Sequence, residues 1–412
     1  MSRGSGGGQR AGLGSLPPLP AYLNPRGRRM HRSGWRRGVS RLVSGLAALL
    51  SVSLLLLLGY AWADFRDFNN GLRRLHIATG RRPAGVSGVR GVSGDIDGQD
   101  EDILVVGNTD RSTLSAAQQH ELKVGSDASL ATDTMMIVHV PANGAKADLI
   151  SLPRDSYVNI PGYGMDKLNA AYVLGYINTK GSLDAKRAAG ANLLIKTVSD
   201  LTGLTIDHFV SVSMIGFVDI SNAIGGVSVN LCHAVDDTVA HNRAIGSDGG
   251  SGLVLSAGRH TIHGVTALEF VRQRHGLPNG DLDRTARQRY FIIQAFHKIA
   301  SAGVLLDPSQ LHSLIAAVDN AIYVDSGLDL TTLALQMSAL DPANITSKAI
   351  PFVRLDTVDV GSVEIVDPAQ VHAFVANLIH PVAPTPKPSP MARPRPSHSA
   401  VARKPVSSGC IN

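Results

Sequence analysis

Between Val271 and Arg289 the chain reads VRQRHGLPNGDLDRTARQR. This stretch holds five arginines (Arg272, Arg274, Arg284, Arg287, Arg289) and two aspartates (Asp281, Asp283) in a chain that is only 17% charged. A guanidinium is a rigid fork of donors that matches phosphate oxygens bidentately. One reading of the segment is an anion site, and the other is an Asp–Arg salt-bridge network on a solvated face. Taken alone, the segment fits both. Arg272 and Arg274 stand two apart, which on extended backbone places them on one side. Arg284, Arg287 and Gln288 stand at i, i+3 and i+4, which on a helix makes one face. Asp283 is placed to cap the start of that helix, and Arg289 falls outside the face, toward solvent.

Three more clusters sit at the ends of strand-like runs, where α/β proteins build their sites. GNTDRS (107–112) carries Asp110 and Arg111, and TDTMM (132–136) carries Asp133. LPRDSYVNIPG (152–162) carries Arg154 and Asp155, and DKLNAAY (166–172) follows with Lys167 and Asn169. Arg111, Arg154 and Asp133 added to the first segment favour the phosphate site, because polar groups then converge from several strand ends. Carboxylates beside phosphate-binding arginines imply Mg²⁺, which takes one or two carboxylates plus phosphate oxygens. The sequence has no P-loop, no HExxH and no GxSxG elbow. His260 and His263 form an HxxH with nothing nearby to complete a metal set.

The elements that must position these residues alternate. DILVVG, MMIVHV, ADLISL, DHFVSVSM and VSVNL read as strands, and ITSKAIPFV as a late one. AKRAAGANLLIKTVSDLTG, IGFVDISNAIGG and TARQRYFIIQAFHKIASAG read as helices, as do PSQLHSLIAAVDNAI, DLTTLALQMSAL and PAQVHAFVANLI. The pattern predicts an α/β domain over 101–380, with a central sheet covered by helices on both faces.

The ends differ in kind. Residues 1–41 hold nine arginines and no acid, and residues 381–412 hold five Lys or Arg and no acid. The chain is +6 overall, so the body between these ends is net −8, which argues against nucleic-acid binding there. Residues 42–62 are uncharged for 21 positions, enough to cross a bilayer as a helix. The arginines before them place 1–41, a disordered leader, in the cytoplasm and the body outside the membrane. The lengths of the leader and the apolar run favour an uncleaved anchor over cleavage after Ala63. Residues 63–100, with GVSGVRGVSG, read as a flexible stalk, and 381–412 as a Pro-rich extended tail. The two cysteines, Cys232 and Cys410, are open between a disulfide and two free thiols.

The motifs ILVVGNTDR, TDTMMIVHVP, ISLPRDSYVNIPGYGMDKLNAAY, GFVDISNAIGGVSV and ALEFVRQRHGLPNGDLDRTARQR, in this order and spacing, resemble the LytR-CpsA-Psr family of cell-envelope proteins in an actinobacterial form. The resemblance covers 101–380 and extends to the cytoplasmic leader and single N-terminal membrane span. It implies a three-layer α/β/α sandwich with a central mixed sheet and an apolar tunnel for a polyprenyl chain. It implies transfer of a phosphoglycan of teichoic-acid, capsule or arabinogalactan type from polyprenyl pyrophosphate to a muramic-acid hydroxyl of peptidoglycan. Carried over by position, Asp133 helps hold Mg²⁺, and Arg111, Arg154, Arg272 and Arg274 form the pyrophosphate clamp. Gln288 is a further head-group ligand beside Arg284 and Arg287. Lys167 and Asn169 lie near the site, and Asp155 orients its neighbours.

Two positions depart from the family pattern. After the first strand the family usually has G-x-D-x-R. Here Gly107 and Arg111 are in register, but Thr109 holds the aspartate position and the acid follows at Asp110. Either the turn brings Asp110 to the metal, or the site relies on Asp133 and the substrate's phosphates. Ala131 stands where many members have arginine. In a transfer reaction Asp133, or Asp110 if it reaches, would take the hydroxyl proton. The alternatives are a polyprenyl-pyrophosphate hydrolase and a non-catalytic lipid-binding or regulatory protein.

Overall fold

The computed structural model describes residues 73–80, 100–111, 114–124, 130–247, 249–300, 317, 322–329, 333, 336, 340, 344–380 and 410–411. With strands numbered in chain order, the central sheet runs β1 (Arg73–Leu75), β12 (Ile322–Asp325), β7 (His208–Ser213), β2 (Glu101–Asn108), β3 (Thr132–Val140), β4 (Ala147–Ser151), β13 (Ile345–Ala349). It is mixed: β2 is parallel to β7 and antiparallel to β3. A smaller sheet runs β14 (Arg354–Val358), β15 (Gly361–Ile365), β5 (Ser156–Ile160), β6 (Gly164–Lys167). Two ribbons pair β8 (Val227–Leu231) with β11 (Gly258–Ile262) and β9 (Val235–Asp236) with β10 (Val254–Leu255).

The helices are α1 (Ala116–Glu121), α2 (Ala170–Ile177), α3 (Leu183–Thr202), α4 (Met214–Ala223), α5 (Val239–Ala244), α6 (Gly264–Arg272), α7 (Asp281–Ala300) and α8 (Pro368–Ile379). Successive strand residues point to opposite faces of the sheet. Leu104 and Val106 of β2, with Met135 and Ile137 of β3, pack on one face with α2, α3 and α8. Val105, Met136 and Val138 face the other way, into a cavity whose far wall is α4, α6 and α7. The helices start and stop where their ends are chemically marked. Ser182 Oγ accepts the Ala185 N–H at 3.2 Å to open α3, and Gly203 closes it at φ 76°. Ser213 Oγ accepts the Gly216 N–H at 3.1 Å at the junction of β7 and α4.

Four expectations change. Residues 73–80 are not stalk: β1 pairs parallel with β12, and Leu75 and Ile77 are buried in the core, since two apolar residues at alternate positions complete the sheet edge. The far end of the tail is not unpacked: Cys410 is disulfide-bonded to Cys232, and the Ile411 N–H donates to Asn230 O at 2.8 Å. Arg272 and Arg274 do not share an extended segment, because α6 runs through Arg272. A short apolar run such as ALEFV suits a buried helix as well as a strand. Helix α7 starts at Asp281, and Asp283 is its third residue rather than its cap. The Asp283 carboxylate reaches back to accept the Asn279 N–H at 2.9 Å. The leader, the apolar run 42–62, most of the stalk and most of the predicted helices in 308–340 lie outside the described residues.

Helices α2 and α3 touch through glycines. A Cβ on Gly190 would stand 2.7 Å from Tyr172 O, and one on Gly175 would stand 2.6 Å from Ala189 O. Gly190→Ala is therefore expected to cost about 1–3 kcal/mol by overpacking, read as a lower urea midpoint at unchanged slope. Non-reducing peptide mapping is expected to recover Cys232 and Cys410 in one cross-linked pair that dithiothreitol separates.

Candidate functional site

The cavity between the sheet and helices α4, α6 and α7 has a volume of about 660 Å³, within the range of small-molecule sites. Its lining changes character along each element. On β2 and the loop after it, Val105 gives way to Asn108, Thr109 and Arg111. On β3, Val138 and Met136 give way to Thr134 and Asp133. On α7, Ala295, Ile292 and Phe291 give way to Gln288 and Arg284. One end is therefore charged and the other apolar. Arg154, Arg272 and Arg274 also line it.

A β-bulge places Asp133. Gly107 pairs with Thr134 but Asn108 pairs with Thr132, so Asp133 is the extra residue opposite that step. A bulge breaks strict alternation and re-aims a side chain, which is why the neighbours Asp133 and Thr134 both reach the cavity. Asp133 Oδ1 accepts from Arg154 Nη1 at 2.6 Å. Arg154 is held from behind: Asp155 lies 3.4 Å from its Nε and 3.1 Å from Lys167 Nζ, and the Asn169 N–H donates to Arg154 O at 3.1 Å. Lys167, Asn169 and Asp155 are not in the cavity wall. They brace the turn that carries Arg154.

Arg272 donates to Leu122 O at 3.1 Å at the end of α6. Burial and the nearby Arg111 and Arg274 push its pKa down, while Asp133 and Glu269 oppose this. The same cavity is lined by Arg111, Arg272, Arg274 and Asp133. A cluster of like charges that lowers one member's own proton affinity is electrostatically prepared for an anion.

Two predicted residues stand elsewhere. Arg287 is 1% exposed, lies 4.7 Å from the Phe270 ring centroid and hydrogen-bonds Gln273 Oε1, outside the cavity wall. Burial pushes its pKa down to about 10. At 100° per residue, positions 287 and 288 fall on opposite shoulders of 284. Only Gln288 shares the cavity with Arg284, and it donates to Val271 O at 3.1 Å. Asp110 is also outside the wall. Its N–H bonds Asn108 Oδ1 at 2.6 Å, and its carboxylate lies 3.8 Å from Arg187 on the opposite side of the sheet. The one-residue shift has reversed its direction, and Thr109 takes the cavity position. Arg289 is half-buried rather than solvated, and burial lowers its pKa.

The carboxylates of the wall are Asp133 and Asp237, a residue the motifs did not mark. Asp237 already accepts from Asn242, Ser251 and His275. Among the described residues no group of three or more His, Cys, Asp or Glu could hold a metal by itself. The available set, the Asp133 carboxylate beside several arginines, suits Mg²⁺ completed by a substrate's own phosphate oxygens. His260 bonds Ser256 O at 2.8 Å, and His263 bonds Asn222 Oδ1 at 3.0 Å where it precedes α6, so the HxxH is engaged structurally.

The chain is 36% identical over 305 residues to the cell wall biosynthesis protein LcpA of Corynebacterium glutamicum, covering 69% of this chain and 57% of the relative. It is 33% identical over 219 residues to the polyisoprenyl-teichoic acid–peptidoglycan teichoic acid transferase TagU of Oceanobacillus iheyensis, covering 53% of this chain and 61% of that protein. The chain thus spans less than two thirds of the length of both. Among solved structures, protein gbs0355 of Streptococcus agalactiae aligns with a TM-score of 0.52 and 25% identity, over 69% of this chain and 89% of that one. Residues 87–378 match the LytR_cpsA_psr family, and with more than half its length so matched the chain belongs to that family.

Proposed function

We propose that this protein is an extracytoplasmic phosphotransferase, held in the cytoplasmic membrane by residues 42–62, that moves a phosphoglycan from polyprenyl pyrophosphate to a peptidoglycan hydroxyl. The observation that carries the reading is one cavity with two chemistries. Arginines 111, 154, 272 and 274, from separate elements, gather at one end, and the other end is lined by Val, Met, Ile and Phe side chains. A pyrophosphate joined to an isoprenoid chain has the same division. The names of the relatives LcpA and TagU point the same way. The disulfide supports placing the body outside the cytoplasm, because such bonds persist in oxidising compartments.

Phosphoryl transfer leaves the protein little covalent work, so positioning and charge stabilisation carry the catalysis. In this reading the four arginines bind the pyrophosphate and stabilise the charge that grows on the departing polyprenyl phosphate. Arg284 and Gln288 orient the same head group from α7. Asp133 would hold Mg²⁺, which when bound supplies further neutralisation of the pyrophosphate oxygens. Asp155, Lys167 and Asn169 keep Arg154 in place, and the apolar end receives the beginning of the isoprenoid chain.

Two measurements test the reading. Inorganic pyrophosphate is expected to bind in titration calorimetry, with affinity falling as salt rises. Arg272→Ala is expected to weaken it about 10- to 100-fold, the value of a charge-assisted hydrogen bond. Arg287→Met is expected to lower thermal stability while binding is retained. Incubated with a lipid-linked pyrophosphate glycan, Mg²⁺ and peptidoglycan fragments, the protein is expected to release polyprenyl monophosphate and form glycan-linked fragments. Arg272→Ala or Arg274→Ala is expected to abolish both while leaving a folded protein. Release without linkage would instead identify a hydrolase, and retention of intact lipid a binding protein.

A further inference from the structure

Both carboxylates that the motifs offer for the proton of an attacking hydroxyl are engaged by arginines. Asp133 Oδ1 is engaged by Arg154 at 2.6 Å, and Asp110 lies by Arg187 outside the cavity. A different pair is built into the wall. Asp237, directly after β9, is 1% exposed, and its carboxylate accepts three hydrogen bonds: from Asn242 Nδ2 at 2.6 Å, Ser251 N at 2.9 Å and His275 Nδ1 at 3.1 Å. His275 follows Arg274 directly, lines the same cavity as the arginines, and keeps 29% of its side chain exposed.

An ionised carboxylate only accepts, so the bond to Asp237 requires the proton on Nδ1. The neutral imidazole then presents a lone pair at Nε2. No described residue hydrogen-bonds Nε2. The ring is oriented at Nδ1 and open at Nε2, the arrangement by which a buried aspartate sets the tautomer of a general base. The charged groups around it are Asp237 at 3.1 Å, Arg274 next in the chain, Arg284 in the same wall, and Arg287, which acts electrostatically on Asp237.

We infer that His275, positioned by Asp237, is the general base of the transfer, an inference that rests on the transfer reading above. The hydroxyl oxygen of the acceptor sugar forms a bond to the glycan-bearing phosphorus. The bond from that phosphorus to the bridging oxygen breaks, and its electron pair leaves with polyprenyl monophosphate. The hydroxyl proton moves to His275 Nε2 and is then released to solvent. Asp237 touches no reacting atom and is a positioning residue.

The test uses the full chain in detergent with lipid-linked pyrophosphate glycan, Mg²⁺ and peptidoglycan fragments, and measures kcat and KM across pH. In the wild type kcat is expected to fall as pH drops through the imidazole pKa. His275→Gln is expected to lower kcat about 100-fold, the scale of general-base catalysis, to abolish that acidic limb, and to leave KM and pyrophosphate affinity unchanged. His275→Asn provides a second variant, with pyrophosphate affinity reporting its folding. Asp237→Asn removes the acceptor that fixes the proton on Nδ1, so kcat is expected to fall with KM and pyrophosphate affinity retained. A wild type that transfers beside histidine variants that keep the limb, or lose rate through KM alone, overturns the inference and leaves the transfer reading intact. A wild type that binds pyrophosphate without transferring overturns both.

Discussion

Like charges held close together and partly out of water are the constraint on which this site depends. Arg272 is half-buried beside Arg111 and Arg274, and its removal from water, reinforced by Arg111, holds its pKa below the usual guanidinium value. A protein does not keep such a cluster without compensation. Asp133 and Glu269 oppose the repulsion, and Arg154 and Asp133 form a charge-assisted pair at the same mouth. Four arginines nevertheless line one end of the cavity. An anion bound there would meet donors from several elements at once.

Much of the fold serves to hold these groups without letting them drift apart. The bulge in β3 turns Asp133 into the cavity against the normal alternation of the strand. The chain Lys167–Asp155–Arg154, with the Asn169 N–H on Arg154 O, fixes one arginine from outside. Helix α6 delivers Arg272 at its last residue, where the backbone turns and Arg274 follows. Sheet and helices supply the stiff frame, and the catalytic candidates occupy the ends and breaks in that frame.

The apolar side of the cavity follows from the same geometry. Val105, Met136 and Val138 leave the strands on the face opposite Leu104, Met135 and Ile137. The second set packs tightly against α2, α3 and α8, with Gly190 and Gly175 allowing close helix contact. The first set meets α4, α6 and α7 across open space. One sheet therefore has a filled face that stabilises and a hollow face available to a ligand.

Strands β2, β3, β4, β7 and β8 and the helices 185–203, 215–226 and 368–379 were legible from periodicity and end signals, because those features are local. The arginines were legible as a group from composition, because a fork-shaped donor repeated at strand ends has few other uses. What escaped was everything that depends on direction. Arg287 and Gln288 are neighbours in sequence, yet 100° of helix rotation sends one into the core and the other to the cavity. Asp110 and Thr109 exchange sides through one residue of shift. β1 and the Cys410–Ile411 anchor join the body from segments whose composition marks them as linkers, because pairing partners far away in sequence decided their state. Asp237 and His275 meet across 38 positions with no motif to announce them. The sequence by itself marked most of the core strands and helices, the family and the gathering of arginines. Only the tertiary structure decided which of those side chains share one cavity, because facing is set by bulges, helix phase and long-range pairing rather than by residue type.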